Sequence, residues 1–245
     1  MNKSDKTAPS DALRRGRGRP RVFDRNEALG LATRLFWLKG YDGTSIVDLT
    51  DAIGIEAPSL YAAFGSKKEL YAAALRHYGE NYEGLVWNNF RAAVTARDAA
   101  MAYLMDSAAA LTGSLADVPR GCMVTLSGIG GEAHPELGSL LRAARASVFG
   151  RLKARFERAV SDGDLLDSVD VAGLARFVQN IQSGMSILAR DGAGREDLEL
   201  IARIAMLGWD GFVNQKRGET PSNVSQRTSR PRRFAQTNPS SKRSG

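Results

Sequence analysis

The chain has one cysteine, Cys122, in 245 residues, which excludes a framework of intrachain disulfides. Its two histidines, His77 and His134, stand 57 positions apart and give no metal-ligand spacing. No apolar run approaches the roughly 18 residues of a membrane helix. The charged N-terminus is followed by no apolar stretch of leader type, so the expected location is the cytoplasm. Sustained period-two alternation is missing, and with it the pattern of a sheet. No glycine-rich phosphate loop or paired-carboxylate signature occurs. Cys122 and His134 could be paired as nucleophile and base, but no third group orients the histidine, so neither an enzyme nor a cofactor is expected.

Charge is present in plenty, and it is unevenly placed. Residues 1–21 hold seven basic and two acidic side chains, and residues 215–245 hold eight and one. With +7 for the whole chain, about −5 is left for residues 22–214. Both ends are rich in Ser, Pro, Arg, Asn and Gly, with too little apolar area to offset the entropy of ordering, and are expected to be disordered when free. Basic ends on an acidic body point to a polyanion partner, with salt-dependent affinity from counterion release. Solubility alone is the competing explanation for the C-terminal tail.

Between the tails the apolar residues recur at three and four, and the expected fold is all-α with about nine helices. Asp24 caps a helix over roughly 25–39, with Ala28, Leu31, Ala32, Leu35, Phe36 and Leu38 as its buried stripe and Gly40 as its stop. Thr44 is expected to cap a second helix that ends at Gly54. Pro58 fits only a first helical turn, so a short third helix starts within "APSLYAAF". Ser66 and Glu69 have capping-box spacing for a fourth helix reaching about residue 91. Further helices are expected over 97–112, 135–160, 170–190 and 195–213, with a shorter segment at "GCMVTLSGIGG". Three helices in about 45 residues with a glycine turn before the third have helix-turn-helix spacing.

The stretch "TRLFWLKGYDGTSIVDLTDAIGIEAPSLYAAFGSKKELYAAAL", residues 33–75, resembles the DNA-binding domain of TetR/AcrR-type transcriptional regulators. The likeness lies in the order of its parts: aromatic-Gly-Tyr before Thr-Ser, Gly-Ile at the turn, Pro-Ser-Leu-Tyr opening the recognition helix, and Phe-x-x-Lys-x-x-Leu after it. It implies a homodimer whose variable helical C-terminal domain both dimerises and binds an effector that usually releases a palindromic operator in double-stranded DNA. The implied division is a basic arm (1–21), a helix-turn-helix domain (22–68), an effector and dimerisation domain (69–214) and a basic tail (215–245). Carried over by position, Thr44 and Ser45 would bind phosphate, Ala57, Pro58 and Ser59 would meet base edges, Tyr61 would contact phosphate, and Lys67 would hold the backbone. Few of these side chains can make bidentate base contacts. The arm "RRGRGRPR", with Arg15, Arg17, Arg19 and Arg21, is expected to supply the rest from the narrow minor groove of A·T-rich DNA.

For the effector, an apolar or aromatic small molecule, the wall candidates are Tyr82, Trp87, Phe90, Tyr103, Met105, Cys122, Met123 and Phe149, although residues of these types at such spacing are more often plain core. Cys122 follows Arg120 in "PRGCMV", which raises a thiol sensor of electrophiles or oxidants as an alternative. An architectural A·T-rich DNA-binding protein without an effector is another. Dimer candidates are Phe177, Ile181, Met185, Leu188, Ile201, Ile204 and Leu207, from the apolar stripes of the last two helices.

Overall fold

The computed structural model describes residues 23–218 except 83, 116 and 129–133, so the basic arm and residues 219–245 lie outside the described residues. Among the described residues there are ten α-helices and no strand. The first, α1 (Arg25–Lys39), is capped by Asp24, whose Oδ1 accepts from the amides of Asn26 at 2.8 Å and Glu27 at 3.1 Å. It buries Ala28, Leu29, Ala32, Thr33, Phe36 and Trp37. Two stripes are covered, since α1 packs on α4 (Lys67–Tyr82) and also on α7 (Met123–Leu126). Leu31 and Leu38, expected inside, are therefore exposed, and Trp37 is buried in their place.

Helix α2 (Ile46–Ile53) starts from Ser45, one residue later than expected. Ser45 and Asp48 form a reciprocal capping box: the Asp48 amide donates to Ser45 Oγ at 3.0 Å and the Ser45 amide to Asp48 Oδ2 at 2.7 Å. Thr44 points inward and donates from its hydroxyl to the Gly40 carbonyl at 2.6 Å. Gly54 then turns the chain in a left-handed conformation, with φ +78° and its amide on Thr50 O at 2.8 Å. Half-buried Ile55 packs onto the core beside it, and α3 (Ala57–Phe64) follows with Pro58 in its first turn.

The fourth expected helix is described on either side of residue 83. α4 begins with Ser66 and Glu69 in reciprocal contact (Ser66 amide to Glu69 Oε2, 2.7 Å), and the helical stretch beyond residue 83 is α5 (Gly84–Ala92). α5 lies on α6 (Ala96–Leu111), whose Ala96, Ala99 and Ala100 permit close approach. Trp87 and Phe90 thereby reach Tyr103, with ring centroids 4.8 and 6.1 Å from it. After α7 come α8 (Pro135–Ser161), α9 (Val171–Arg190) and α10 (Arg195–Gly218).

The apolar side chains gather into two cores. The smaller joins α1–α4 through Phe36, Leu49, Leu60, Phe64, Leu70 and Tyr71, and also takes in Met123 and Leu137 from later in the chain. The larger joins α5, α6 and α8–α10 around Trp87, Tyr103, Phe156, Met185 and Trp209. Residues past 68 belong to the smaller core, so α4 is shared between the two halves.

An L-residue at Gly54 has room for its Cβ but must hold a left-handed φ. Gly54→Ala is expected to lose about 1–2 kcal/mol in urea unfolding, and Gly54→Asn clearly less.

Candidate nucleic-acid interface and effector cavity

The exposed side of the helix-turn-helix is made by what α3 cannot bury. Leu60 and Phe64 face the core, leaving Pro58, Ser59, Tyr61 and Ala62 exposed and Ala57 half-buried on the first turns. Ser45 is exposed at the start of α2, where the helix dipole favours an anion. Lys67, at the start of α4, holds its ammonium 4.3 Å from the Tyr41 ring centre. Asp48 pairs with Lys39 at 2.6 Å, and the hydrogen bonds from Lys39 and Ser45 hold its carboxyl well below the usual range. That ion pair and the cap keep Asp48 from presenting a bare charge at the exposed start of α2.

Thr44 does not belong to this surface. It is fully buried and bonded to Gly40, so its side chain braces the α1–α2 turn. Of the remaining candidates, Arg15, Arg17, Arg19 and Arg21 lie outside the described residues. Phe23, just before α1, packs edge-on to Phe64 at the end of α3, with centroids 6.3 Å apart. Arg25 stacks on the same Phe64 ring at 4.9 Å.

A cavity of about 220 Å³ lies between the halves of the chain. Trp37, Tyr78, Tyr82, Trp87, Tyr103 and Cys122 form much of its wall, with Val148 and Leu111. Four sequence-expected wall residues, Tyr82, Trp87, Tyr103 and Cys122, are brought together here. The other four line something else. Phe90 is buried behind Trp87, Met105 packs on the larger core, Met123 is fully buried in the smaller one, and Phe149 lies under the Arg176 guanidinium at 3.7 Å. Helical spacing marks all eight as apolar, but only their neighbours decide which of them face space.

Cys122 Sγ accepts a hydrogen bond from the Tyr78 hydroxyl at 3.3 Å, and its amide donates to Ser186 Oγ at 2.8 Å. Burial pushes the Tyr78 and Tyr103 hydroxyls well above their ordinary pKa, so both stay protonated donors at neutral pH. The Arg120 guanidinium, sequence neighbour of the thiol, is turned to the carbonyls of Ala189 and Ala193 instead. His134 lies 3.2 Å from Asp42 and against the Tyr41 ring, leaving Cys122 without a histidine base in its contacts.

Sequence reading missed the seam that joins cavity to helix-turn-helix. Trp37, near the end of α1, faces the cavity with its ring against Tyr78 and Tyr82, and its indole donates to the Gly121 carbonyl at 2.9 Å. Arg190, at the end of α9, donates to the carbonyls of Trp37 (2.8 Å), Leu38 (3.0 Å) and Arg120 (2.9 Å). One guanidinium thus ties the last turn of α1 to the loop before α7. Gly121 has φ +80°, and a Cβ there would meet Leu126 at 2.4 Å and Ser186 O at 2.8 Å. No local pattern flags Arg190, because a basic residue in a last helical turn is ordinary.

On α9 and α10, Leu188, Ile204 and Leu207 are exposed, and so are Ile187 and Leu200. Phe177, Ile181 and Ile201 are half-buried against the larger core. Met185 is a correction: it is 1% exposed and belongs to its own chain's core. Among the described residues no helix is long and apolar enough to cross a membrane, and no three His, Cys, Asp or Glu side chains gather as for a metal ion.

Two short helices meeting at a left-handed glycine, with the exposed first turns of the second set beside an open helix start, define a helix-turn-helix DNA-binding protein with a helical second domain. Residues 28–74 match the family model of the tetR family of bacterial regulatory proteins. The chain is 33% identical over 213 residues to the HTH-type transcriptional repressor ComR of Escherichia coli K12, covering 84% of this chain and 99% of that one. The repressor BdcR of the same organism is 49% identical over 61 residues, 25% of this chain and 31% of that one. Among solved structures, a cysteine-substituted variant of the TetR-family regulator CifR, complexed with 26 bp operator DNA, is 36% identical with a TM-score of 0.73, covering 78% of this chain and all of that one. The chain belongs to the TetR family and is a DNA-binding regulator of transcription, not an enzyme.

Two substitutions separate surface from brace. Tyr61→Phe is expected to weaken operator binding severalfold with unchanged thermal stability, as loss of one phosphate contact does. Thr44→Val is expected to lower stability by about 1–3 kcal/mol, since it leaves the Gly40 carbonyl without its buried donor. Fluorescence anisotropy and thermal unfolding of both variants check the pair; the opposite assignment of effects would contradict it.

Proposed function

We propose that the protein is a homodimeric repressor that acts in the cytoplasm, binds a palindromic operator and is released from it by a small apolar or aromatic molecule. The observation that carries the ligand response is Trp37, which is at once a wall of the cavity and part of α1, the helix against which α2 and α4 pack. A molecule that fills the cavity pushes on this ring, and the displacement passes along α1 to the spacing of the two reading helices. A volume of 220 Å³ lies between the roughly 150 Å³ that takes benzene and the 300 Å³ at which drug-sized sites begin, so the effector is about the size of one or two fused rings.

Pairing of two chains is supported by the exposed stripe Leu200, Ile204 and Leu207 on α10, with Leu188 on α9. Spaced at four and three, these side chains share one helix face, as a four-helix interface needs. Such a dimer holds two helix-turn-helix units at a fixed separation, which a palindrome requires. On the DNA side, Ser45 and Lys67 grip backbone while Ala57, Pro58 and Ser59 meet base edges. The arm joins the chain at Phe23, beside the end of α3, from where its arginines enter the adjoining minor groove.

A second reading makes Cys122 the sensor. It draws on the placement of Sγ in the cavity wall, where an electrophile that entered would meet it.

Deleting residues 1–21 is expected to weaken operator binding at least about tenfold and to flatten its salt slope. Unchanged affinity and slope would remove the arm from the account. A nuclease footprint is expected to give a discrete palindromic site, whereas diffuse A·T-rich coverage would mean an architectural protein. Cys122→Ser is expected to remain on DNA when treated with the electrophiles that release the wild type, if the thiol reading holds; release like the wild type's contradicts that reading alone.

A further inference from the structure

Helix α1 does not need Phe23 in order to start. Asp24 already caps it by taking the amides of Asn26 and Glu27, so the cap alone does not decide where the chain ahead of it goes. An apolar residue just before a cap ordinarily packs on the fourth residue of the helix, which here is Ala28, too small to hold a phenyl ring. The Phe23 ring reaches another helix: it meets Phe64, the last residue of α3, edge-on at 6.3 Å with the ring planes at 76°. It also borders a groove with Ile53, Gly54 and Ile55 of the α2–α3 turn. The residue that precedes α1 is thus referred to both ends of the reading unit.

Arg25 closes on the same ring. Its guanidinium carbon stands 4.9 Å from the Phe64 centre, and its Nε donates to the Ala63 carbonyl at 3.4 Å. That carbonyl is among the last four of α3, which have no partner inside the helix, and a cation suits the negative end of the helix dipole. Phe64 is buried in the smaller core and gives the contact a fixed base. Phe23 itself stays 42% exposed, so its contact sets a direction more than it builds core.

We propose that Phe23 and Arg25 are positioning residues for DNA reading: held on Phe64, they fix the root of the basic arm to the end of α3, so that Arg17 and Arg19 lie in the minor groove at a set distance from the bases that α3 reads. This rests on the reading of the arm as a minor-groove element and adds what aims it. A helix rises about 1.5 Å per residue, which puts the root roughly 10 Å along α3 from Ala57. An extended chain spans at most about 3.5 Å per residue, so from Phe23 the backbone of Arg21 reaches roughly 7 Å, that of Arg19 roughly 14 Å and that of Arg17 roughly 21 Å. One phosphate backbone separates the major groove from a minor groove about 6 Å wide. Arg21 is therefore held to the phosphates at the edge, while Arg19 and Arg17 can pass them to the groove floor. A root free to swing would spread the same charges over several positions, keeping the release of counterions and losing the place.

A double-mutant cycle on operator binding tests this, with the full chain, Phe23→Ala, the chain lacking residues 1–21, and that shortened chain carrying Phe23→Ala. Phe23→Ala is expected to weaken binding about threefold or more with the arm present and to change nothing without it. Unchanged binding of the shortened chain also shows that the substitution leaves the helix-turn-helix folded. In the full chain, Phe23→Tyr keeps the ring and is expected to bind like the wild type. Phe23→Ala is expected to lose the preference for A·T over G·C pairs placed beside the half-site while keeping its salt slope. An equal loss with and without the arm would overturn the proposal, since Phe23 then acts on α3 alone, and so would full affinity and A·T preference in Phe23→Ala. Both results leave the arm reading standing, whereas a shortened chain that binds like the full one would overturn that reading and the proposal together.

Discussion

The molecule depends on a few hydrogen bonds to the end of one helix. The last carbonyls of any α-helix lack partners within it, and in α1 those of Trp37 and Leu38 are taken by Arg190, seventy residues beyond the Arg120 carbonyl that the same guanidinium also holds. Bonds from a charged donor to neutral carbonyls are worth more than ordinary ones, roughly 1.5–3 kcal/mol each. Because that donor stands at the end of α9, the helix-turn-helix cannot shift without disturbing the domain that carries the cavity. Trp37 completes the seam from the other side, with its indole on Gly121 and its ring in the cavity wall.

Around this seam each part has a distinct physical task. The capping box at Ser45 and the left-handed turn at Gly54 fix the angle between α2 and α3, so that α3 can expose its first turns while Leu60 and Phe64 anchor it. The alanines of α6 let α5 approach closely and deliver Trp87 beside Tyr103. The polar side of the cavity is built on α8 and α9, on the far side from Trp37.

Much of this was legible in the sequence, for physical reasons. Asp24, Gly40, Gly54, Pro58, Ser66 and Glu69 act through their own backbone neighbourhood, so the first helices could be placed from local chemistry. Errors fell where a choice depended on distant contacts. Thr44 and Ser45 are both competent caps, and the decision came from Gly40, whose carbonyl captured the threonine hydroxyl. The sequence of α1 shows a single stripe, but α7 covers a second side and buries Trp37 in place of Leu38. Phe90 and Trp87 look alike in sequence, yet one is core and the other cavity wall. Met185 shares the period of the α9 stripe but turns inward. Arg190 gave no signal, since its partners lie in carbonyl groups that every residue carries.

If a molecule in the cavity acts on the DNA-reading surface through the end of α1, DNA must act on the cavity by the same route, because linkage is reciprocal. Hydrogen exchange of the full chain, free and bound to the operator that its footprint defines, measures this without any effector. Operator binding is expected to change protection at Gly40, Gly121 and Cys122, far from the bases, as well as on α2 and α3. Changes confined to α2, α3 and the start of α4 would contradict the account.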